Sequence, residues 1–183
     1  MNVKSKQSWG IFQVRSENSL GWKQGARDGL PIAFGYLSVS FTFGMAAAAA
    51  GLSVSEAVMI SATNLTSAGQ FAGLTLIQAQ ASFMEMALTT LIINLRYALM
   101  SLSLAQKLDP ALSRWQKAIL AFGNTDEIFA VAVSHPVVYF RYMLGLILTP
   151  MAGWVGGTFL GCAFSALLPT AIRSAFAVAI YGM

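Results

Sequence analysis

The feature that most constrains this chain is a series of uncharged runs, each about as long as a helix that crosses a lipid bilayer. The first extends from Leu30 to Ala50, and its 21 residues would form roughly 31 Å of helix, about one hydrocarbon thickness. Pro31 falls in the predicted first turn, where a missing N–H costs nothing, and Gly51 follows the end. Only 10% of the residues are charged, against about a quarter in soluble domains, so the sequence predicts an all-α membrane helix bundle.

Further runs bring the predicted bundle to about five or six hydrophobic segments, some of them broken or re-entrant. They extend over residues 57–77, 86–106, 118–133 and 143–168, and the last run, 175–183, is too short to cross a membrane. We therefore predict a basic cytoplasmic tail (1–28) and a transmembrane helical domain (29–183) with an incomplete C-terminal segment. No internal repeat is evident.

The second run is uncharged but polar at its centre. Hydroxyl and amide residues surround the Gly69–Gln70 step, where a helix could break and offer free backbone groups to a cavity. The candidate site residues in this run are Asn64, Ser67, Gly69 and Gln70. A continuous helix whose small residues pack against its neighbours explains the same pattern, so both interpretations stay open.

Basic residues outside the runs predict how the chain is inserted. They cluster in the N-terminal tail and in the loop that holds Lys107, Arg114 and Lys117, and the positive-inside rule places both in the cytoplasm. An even number of crossings must then separate the two clusters, whereas three simple spans give an odd number. The conflict disappears if the second run enters and leaves the membrane on the same side. It also disappears if the positive-inside rule does not hold for this loop.

Arg96 is the most informative residue within the runs. It lies near the centre of the third run with Asn94 beside it, where a charge costs roughly 2.5–3.5 kcal/mol unless it meets a partner or water. Three roles fit this position. Arg96 could bind a substrate carboxylate, form a structural ion pair, or reach the membrane interface with its long side chain.

The fourth run carries Asn124, Asp126 and Glu127. Adjacent helical residues point about 100° apart, so we expect Asp126 to face inward with Asn124, and Glu127 to hold Arg96 or a neighbouring helix. Asp126 and Glu127 are the candidate proton-coupling residues, because desolvation in a membrane favours the neutral form of a carboxylate. If this short run lies outside the membrane, both acids are simply solvated.

Small residues recur at four-residue spacing in the fifth run. They are Gly153, Gly157, Gly161 and Ser165. Such a row forms a smooth helix face for close helix contact, which could also serve an oligomer through its three glycines.

The sequence contains no recognisable catalytic or metal-binding motif. Cys162 lies alone in an apolar run, His135 is the only histidine, and neither a phosphate loop nor a nucleophile elbow is found. We therefore expect no enzyme activity, metal, cofactor or nucleic-acid partner. The predicted function is transport of a small solute. A non-transporting membrane scaffold and a passive channel are the alternatives.

Four short motifs, in this order, resemble the AzlC family. They are Gly29-Leu30-Pro31, Ser67-Ala68-Gly69-Gln70-Phe71, Asn94-Leu95-Arg96-Tyr97, and Thr125-Asp126-Glu127 with Phe129. The resemblance implies a secondary-transporter subunit of the bacterial cytoplasmic (inner) membrane. It implies export of leucine, isoleucine and valine, with methionine as a further candidate, alongside a small hydrophobic AzlD-type partner subunit. It also implies membrane segments beyond residue 183.

The residues and the resemblance together lead to the hypothesis of a zwitterion-sized cavity near the bilayer midplane. Arg96, or the N–H groups around Gly69, would bind the substrate carboxylate. Asp126, with the side-chain amides of Asn64 and Asn124, would bind the ammonium group. Proton exchange at Asp126 would couple export to the proton gradient.

Overall fold

The computed structural model describes residues 21–167, in which all regular secondary structure longer than a single bridge is helical. The helices of this range are α1 (Trp22–Ala49), α2 (Val54–Thr63), α3 (Ser67–Gln78), α4 (Phe83–Ala105), α5 (Arg114–Phe122), α6 (Asp126–Val133) and α7 (Phe140–Leu167). By length and composition, α1, α4 and α7 can each cross a membrane. The predicted all-α membrane bundle is confirmed. The predicted last run, 175–183, lies outside the described residues.

The core of the bundle is the contact between α1 and α7, which run parallel. Successive contacts bring together Gly25 with Tyr142, Ala33 with Gly153, and Phe41 with Gly161. Residue numbers rise together on both helices, so their directions agree. A Cβ added at any of six glycines would collide with the backbone of the other helix: Gly25, Gly44, Gly145, Gly153, Gly157 and Gly161. The predicted glycine row therefore packs against α1 within the chain.

α1 begins at Trp22, well before the apolar run at which its start was predicted. Gln24 donates a hydrogen bond to Asp28 (2.7 Å), and the same carboxylate accepts one from Tyr142 of α7 (2.9 Å). These hydrogen bonds hold the charged first turns of α1 against α7. The prediction that Pro31 lies in the first turn is therefore wrong, because Pro31 lies inside the helix. Residues 22–28 of the predicted tail are helical.

The second run forms a helical hairpin. α2 ends at Thr63, residues 64–66 leave the helical conformation, and α3 begins at Ser67. Across the turn, Gln70 donates from Nε2 to Ser61 Oγ (2.8 Å) and to the carbonyl oxygen of Asn64 (3.2 Å). In a straight helix, Gln70 would lie roughly 13 Å along the axis from Ser61, too far for this contact. The chain has therefore turned back.

Both outer ends of this first hairpin lie at the end of the bundle where α1 finishes. At the tip, Trp154 of α7 donates to the carbonyl of Asn64 (3.3 Å). Beyond the turn, Phe71 packs edge-on against Phe43 in the C-terminal half of α1, with ring centroids 5.7 Å apart. α3 therefore runs from the middle of α1 towards its C-terminal end, so the hairpin enters and leaves on one side.

Of the two interpretations of the second run, the structure shows the break. It begins at Asn64, one of the four candidate residues, and does not lie at the Gly69–Gln70 step. Gly69 and Gln70 lie in the first turns of α3, and the interruption is at residues 64–66. Thr66 explains the shift because it is the N-cap of α3, and its hydroxyl accepts a hydrogen bond from the Gly69 N–H (3.4 Å). A new helix therefore starts before the Gly–Gln step.

The fourth run forms a second hairpin, interrupted at residues 123–125 and inserted from the opposite end. At its tip, Thr125 lies 2.6 Å from the hydroxyl of Tyr36, midway along α1. At the other end of α6, the Val133 carbonyl accepts from Lys107 Nζ (2.5 Å). Lys107 is itself paired with Val138, just before α7 (N–O 2.8 Å). The basic loop after α4 therefore lies at the end of the bundle where α1 and α7 begin.

The two hairpins complete an inverted repeat. α4 runs antiparallel to α1 and α7, because it starts after the first hairpin and ends beside the start of α7. The order of elements is therefore the same in the two halves, a long helix followed by a hairpin, and the two halves run in opposite directions. Asn64 and Asn124 each follow the first helix of their hairpin. This repeat is one of helix order and direction, whereas the prediction of no internal repeat concerned the amino-acid sequence. Inverted repeats with interrupted helices are typical of secondary transporters.

This geometry gives a direct expectation for side-specific labelling. Ser55→Cys and Ala79→Cys, at the two outer ends of the first hairpin, should be labelled from one side of the membrane, and Ala111→Cys from the other. All three positions are exposed, and the native Cys162 is buried and can be replaced by alanine. The measurement is reaction with an impermeant maleimide in right-side-out and inverted vesicles. Opposite sidedness of positions 55 and 79 would show that the second run crosses.

Candidate functional site

Two adjoining cavities lie where the hairpin tips meet, about halfway along α1. The large cavity, about 450 Å³, has these polar and charged lining residues: Tyr36, Thr66, Ser67, Arg96, Tyr97, Asp126 and Glu127. The small cavity, about 160 Å³, has these: Thr63, Asn64, Thr66, Asn94, Tyr97, Asn124 and Thr125. Leu65, Thr66 and Tyr97 line both cavities and so separate them.

An ion pair is the dominant charge feature of the large cavity. Arg96 Nη2 lies 2.9 Å from Asp126 Oδ2, and the two side chains remain 52% and 42% exposed. The same nitrogen donates to the hydroxyl of Tyr97 (3.3 Å). Among the described residues these contacts use only Nη2, and a guanidinium has five N–H donors, so other donors of Arg96 are available to a ligand.

Glu127 contacts α1 rather than Arg96. Its carboxylate accepts a hydrogen bond from the Tyr36 hydroxyl, and the Tyr36 ring packs edge-on against Trp154 with centroids 5.2 Å apart. Of the two partners predicted for Glu127, Arg96 is therefore wrong and the neighbouring helix is observed. The first turn of α6 points Asp126 at α4 and Glu127 at α1, because consecutive helical residues diverge by about 100°.

The hairpin tips present opposite helix ends to the two cavities. The first residues of α3 and α6 line the large cavity, through Ser67 and Asp126. The last residues of α2 and α5 line the small cavity, through Thr63 and Phe122. Helix N-termini carry partial positive charge and C-termini partial negative charge. The helix ends at the large cavity are therefore N-terminal and favour an anionic group, whereas the small cavity is lined both by the C-terminal ends of α2 and α5 and by the N-caps Thr66 and Thr125.

The small cavity is lined by three asparagines and contains unpaired acceptors. Asn124 is only 2% exposed, and its Nδ2 donates to Ser101 Oγ (3.4 Å). The Oδ1 atoms of Asn94 and Asn124 are buried without a hydrogen-bond partner among the described residues. An unsatisfied buried acceptor costs about 1–3 kcal/mol, so a donor or a cation is expected beside these oxygens.

The structure brings together seven of the nine predicted site residues. Ser67, Arg96, Asp126 and Glu127 line the large cavity, and Asn64, Asn94 and Asn124 line the small one. Gly69 and Gln70 line neither. The Gly69 N–H is bonded to Thr66 and Gln70 Nε2 is bonded to Ser61, while the buried Oε1 of Gln70 has no hydrogen-bond partner among the described residues.

Sequence reasoning missed the aromatic residues of the site. Tyr36 and Tyr97 line the large cavity with their rings and hydroxyls, but a tyrosine in an apolar run gives no distinct signal. Trp154 is a packing residue and is only 2% exposed. It also lines the large cavity and donates to the tip of the first hairpin.

Comparison with known proteins identifies the family. The family model described as AzlC protein matches residues 31–168. The chain belongs to the AzlC family. Inner membrane protein YgaZ of Escherichia coli K12 is 34% identical over 152 residues, which are 80% of this chain and 62% of that protein. An uncharacterized membrane protein of Archaeoglobus fulgidus is 38% identical over 140 residues, 76% of this chain and 61% of that one.

This AzlC-family chain spans about three fifths of the length of the curated relatives it matches. No solved structure matches it. The matched region contains both hairpin tips and every residue that lines the two cavities. Both relatives are named as membrane proteins, in agreement with the three helices of this chain that can cross a membrane.

Proposed function

We propose that this AzlC-family chain is a subunit of a secondary transporter that exports branched-chain amino acids. The observation that supports this most directly is the Arg96–Asp126 pair in the large cavity, where the two hairpin tips meet. The volume of about 450 Å³ lies within the range of pockets for small ligands. Leucine, isoleucine and valine are the proposed substrates, and methionine is a further candidate.

A zwitterion can bind at this ion pair because it carries a negative group for Arg96 and a positive group for Asp126. Its carboxylate can take a two-pronged hydrogen bond from Arg96, and its ammonium can replace Arg96 beside Asp126. Opening the pair then leaves no charge uncompensated. The aliphatic side chain of the substrate would lie against Ile32, Val39 and Leu65, which also line the large cavity.

The proposed setting is the bacterial inner membrane, with the N-terminal tail in the cytoplasm. The basic loop after α4 lies at the end where α1 begins, which is the arrangement that the positive-inside rule requires. A small AzlD-type subunit is the proposed partner. α4 has room for it, because only 6% of its apolar window is buried, against 39% for α1 and 44% for α7.

Radiolabelled leucine counterflow in proteoliposomes tests the proposal, using the chain alone and with a co-expressed small partner subunit. A carrier gives saturable counterflow that unlabelled isoleucine and valine suppress. A passive channel gives non-saturable flux without counterflow. A scaffold gives neither in either preparation, and that result would refute the proposed transport of these amino acids.

Proton coupling through Asp126 and Glu127 gives a separate expectation. Asp126→Asn should abolish uphill leucine transport driven by a proton gradient while largely preserving leucine exchange, because the amide keeps its hydrogen-bonding oxygen but cannot carry the proton. The measurement compares gradient-driven accumulation with exchange in the same proteoliposomes. Glu127→Gln is the parallel variant for the second acid. Unchanged uphill transport in both variants would exclude these residues as the coupling groups.

A further inference from the structure

We infer that the small cavity is a binding site for a monovalent cationic group, either a metal ion such as Na⁺ or the ammonium of a transported amine. This site is separate from the Arg96–Asp126 pair, which lines the large cavity on the other side of Thr66 and Tyr97. In its metal-ion form the inference does not depend on the proposed function. In its ammonium form it rests on that function and places the substrate ammonium in the small cavity instead of beside Asp126.

Unsatisfied oxygens support this inference first. Asn94 and Asn124 approach the small cavity from α4 and from the second hairpin, and the buried Oδ1 of each lacks a hydrogen-bond partner among the described residues. For Asn124 the side-chain orientation is supported by its Nδ2, which donates to Ser101 (3.4 Å). Two residues that line one small cavity therefore each carry a buried amide oxygen without a hydrogen-bond partner among the described residues.

Two helix C-termini supply a second contribution, beside the N-cap residues of α3 and α6, Thr66 and Thr125, which line the same cavity. α2 and α5 both finish at the small cavity, where Thr63 and Phe122 are their last residues. Each C-terminus carries about half a negative charge from its unsatisfied carbonyl groups. Interrupted helices in transporters use such C-terminal ends and the unwound backbone beside them to coordinate cations.

The lining also indicates the charge of the occupant. No acidic or basic side chain lines the small cavity among the described residues, so no protein cation can satisfy the two amide oxygens. Divalent ions are usually held by carboxylates, whereas a neutral set of amide and hydroxyl oxygens suits a single positive charge. The hydroxyls of Thr63, Thr66 and Thr125 are further oxygens of this set. At about 160 Å³, the cavity can hold an ion with several waters.

The metal-ion form is tested by ²²Na⁺ binding to the purified chain in nanodiscs, in choline buffer without amino acid. We expect saturable binding that Asn124→Ala weakens by at least about tenfold, since hydrogen bonds and contacts to charged groups are worth about 1.5–3 kcal/mol. Asn124→Asp should tighten it, because a carboxylate would replace the neutral oxygen. Ser165→Ala is the matched control, because it also removes an unpaired buried oxygen but lies outside the cavity, so binding should be unchanged.

The ammonium form is tested by comparing the affinities of leucine and 4-methylpentanoate, which lacks the amine. Without ²²Na⁺ binding, a tenfold or greater loss for leucine in Asn124→Ala, with 4-methylpentanoate unaffected, assigns the site to the substrate ammonium. If neither ²²Na⁺ binding nor this selective loss occurs in variants that stay monodisperse, the inference is overturned. If leucine counterflow fails while ²²Na⁺ binding persists, the proposed function fails and the cation site stands.

Discussion

Gly157→Leu should prevent this chain from forming a stable bundle, whereas Gly156→Leu, one residue away, should leave it folded. A Cβ at position 157 would lie 2.5 Å from the carbonyl oxygen of Leu37 and would also collide with Ser40. At position 156 nothing lies within 4 Å of the added atom. Because the obstacle at Leu37 is backbone, relief requires α1 and α7 to separate, and the close packing that holds them together is lost.

The difference in stability between the two variants is measured by thermal unfolding in mild detergent, with size-exclusion chromatography as the readout. Overpacking typically costs about 1–3 kcal/mol of folding free energy, and a collision with backbone lies at or above the upper end of that range. We therefore expect the Tm of Gly157→Leu to fall by about 10 °C or more, or the variant to yield no monodisperse protein. Gly156→Leu should elute and melt like the wild type. Equal Tm values for both variants would contradict the close α1–α7 contact.

Arg96→Ala should abolish leucine counterflow, lowering its rate by about a hundredfold or more. The change removes the proposed carboxylate ligand, and hydrogen bonds to charged groups are worth about 1.5–3 kcal/mol each. It also leaves Asp126 without its partner at 2.9 Å. Arg96→Lys should give an intermediate rate, because lysine keeps the charge but lacks the planar fork. Arg141→Ala, at an exposed arginine near the start of α7, is the matched control and should retain the wild-type rate.

A double variant distinguishes a binding role for Arg96 from a purely structural one. In Arg96→Ala with Asp126→Ala, neither charge is left unpaired. If the pair only supports the fold, the double variant should recover both Tm and counterflow. If Arg96 binds substrate, Tm can recover while counterflow stays absent. Recovery of counterflow would therefore refute the proposed role of Arg96.

The membrane segments and the charged site residues could be predicted from the sequence because lipid imposes strong rules. A charge inside an apolar run is costly, so Arg96 and Asp126 stand out without any knowledge of the fold. The run predicted for 86–106 agrees with α4, Phe83–Ala105, because its ends are set by hydropathy.

The direction of each hairpin could not be predicted, because it depends on contacts between distant segments. Gln70 bonded to Ser61, and Tyr36 beside Thr125, become visible only after the chain has turned. One local signal was available. Ser-x-x-Glu or Ser-x-x-Gln patterns begin at Ser53, Ser82 and Ser113, and each of these serines is the N-cap of a helix (α2, α4 and α5). These patterns mark the starts of three helices, but they do not mark the breaks inside the second and fourth runs, at residues 64–66 and 123–125. The choice of Asp126 over Glu127 as the partner of Arg96 still required the orientation of α6.

The parallel contact between α1 and α7 also determines the order in which the protein can be assembled during synthesis. Ninety residues separate the end of α1 at Ala49 from the start of α7 at Phe140. At about 5–20 residues per second, α7 starts to emerge from the ribosome roughly 5–20 s after α1 is complete. Throughout that interval the glycine face of α1 faces lipid or the insertion machinery, and both hairpins must be placed beside a helix that still lacks its main partner. The contact between α1 and α7 therefore forms only after both hairpins have been synthesised.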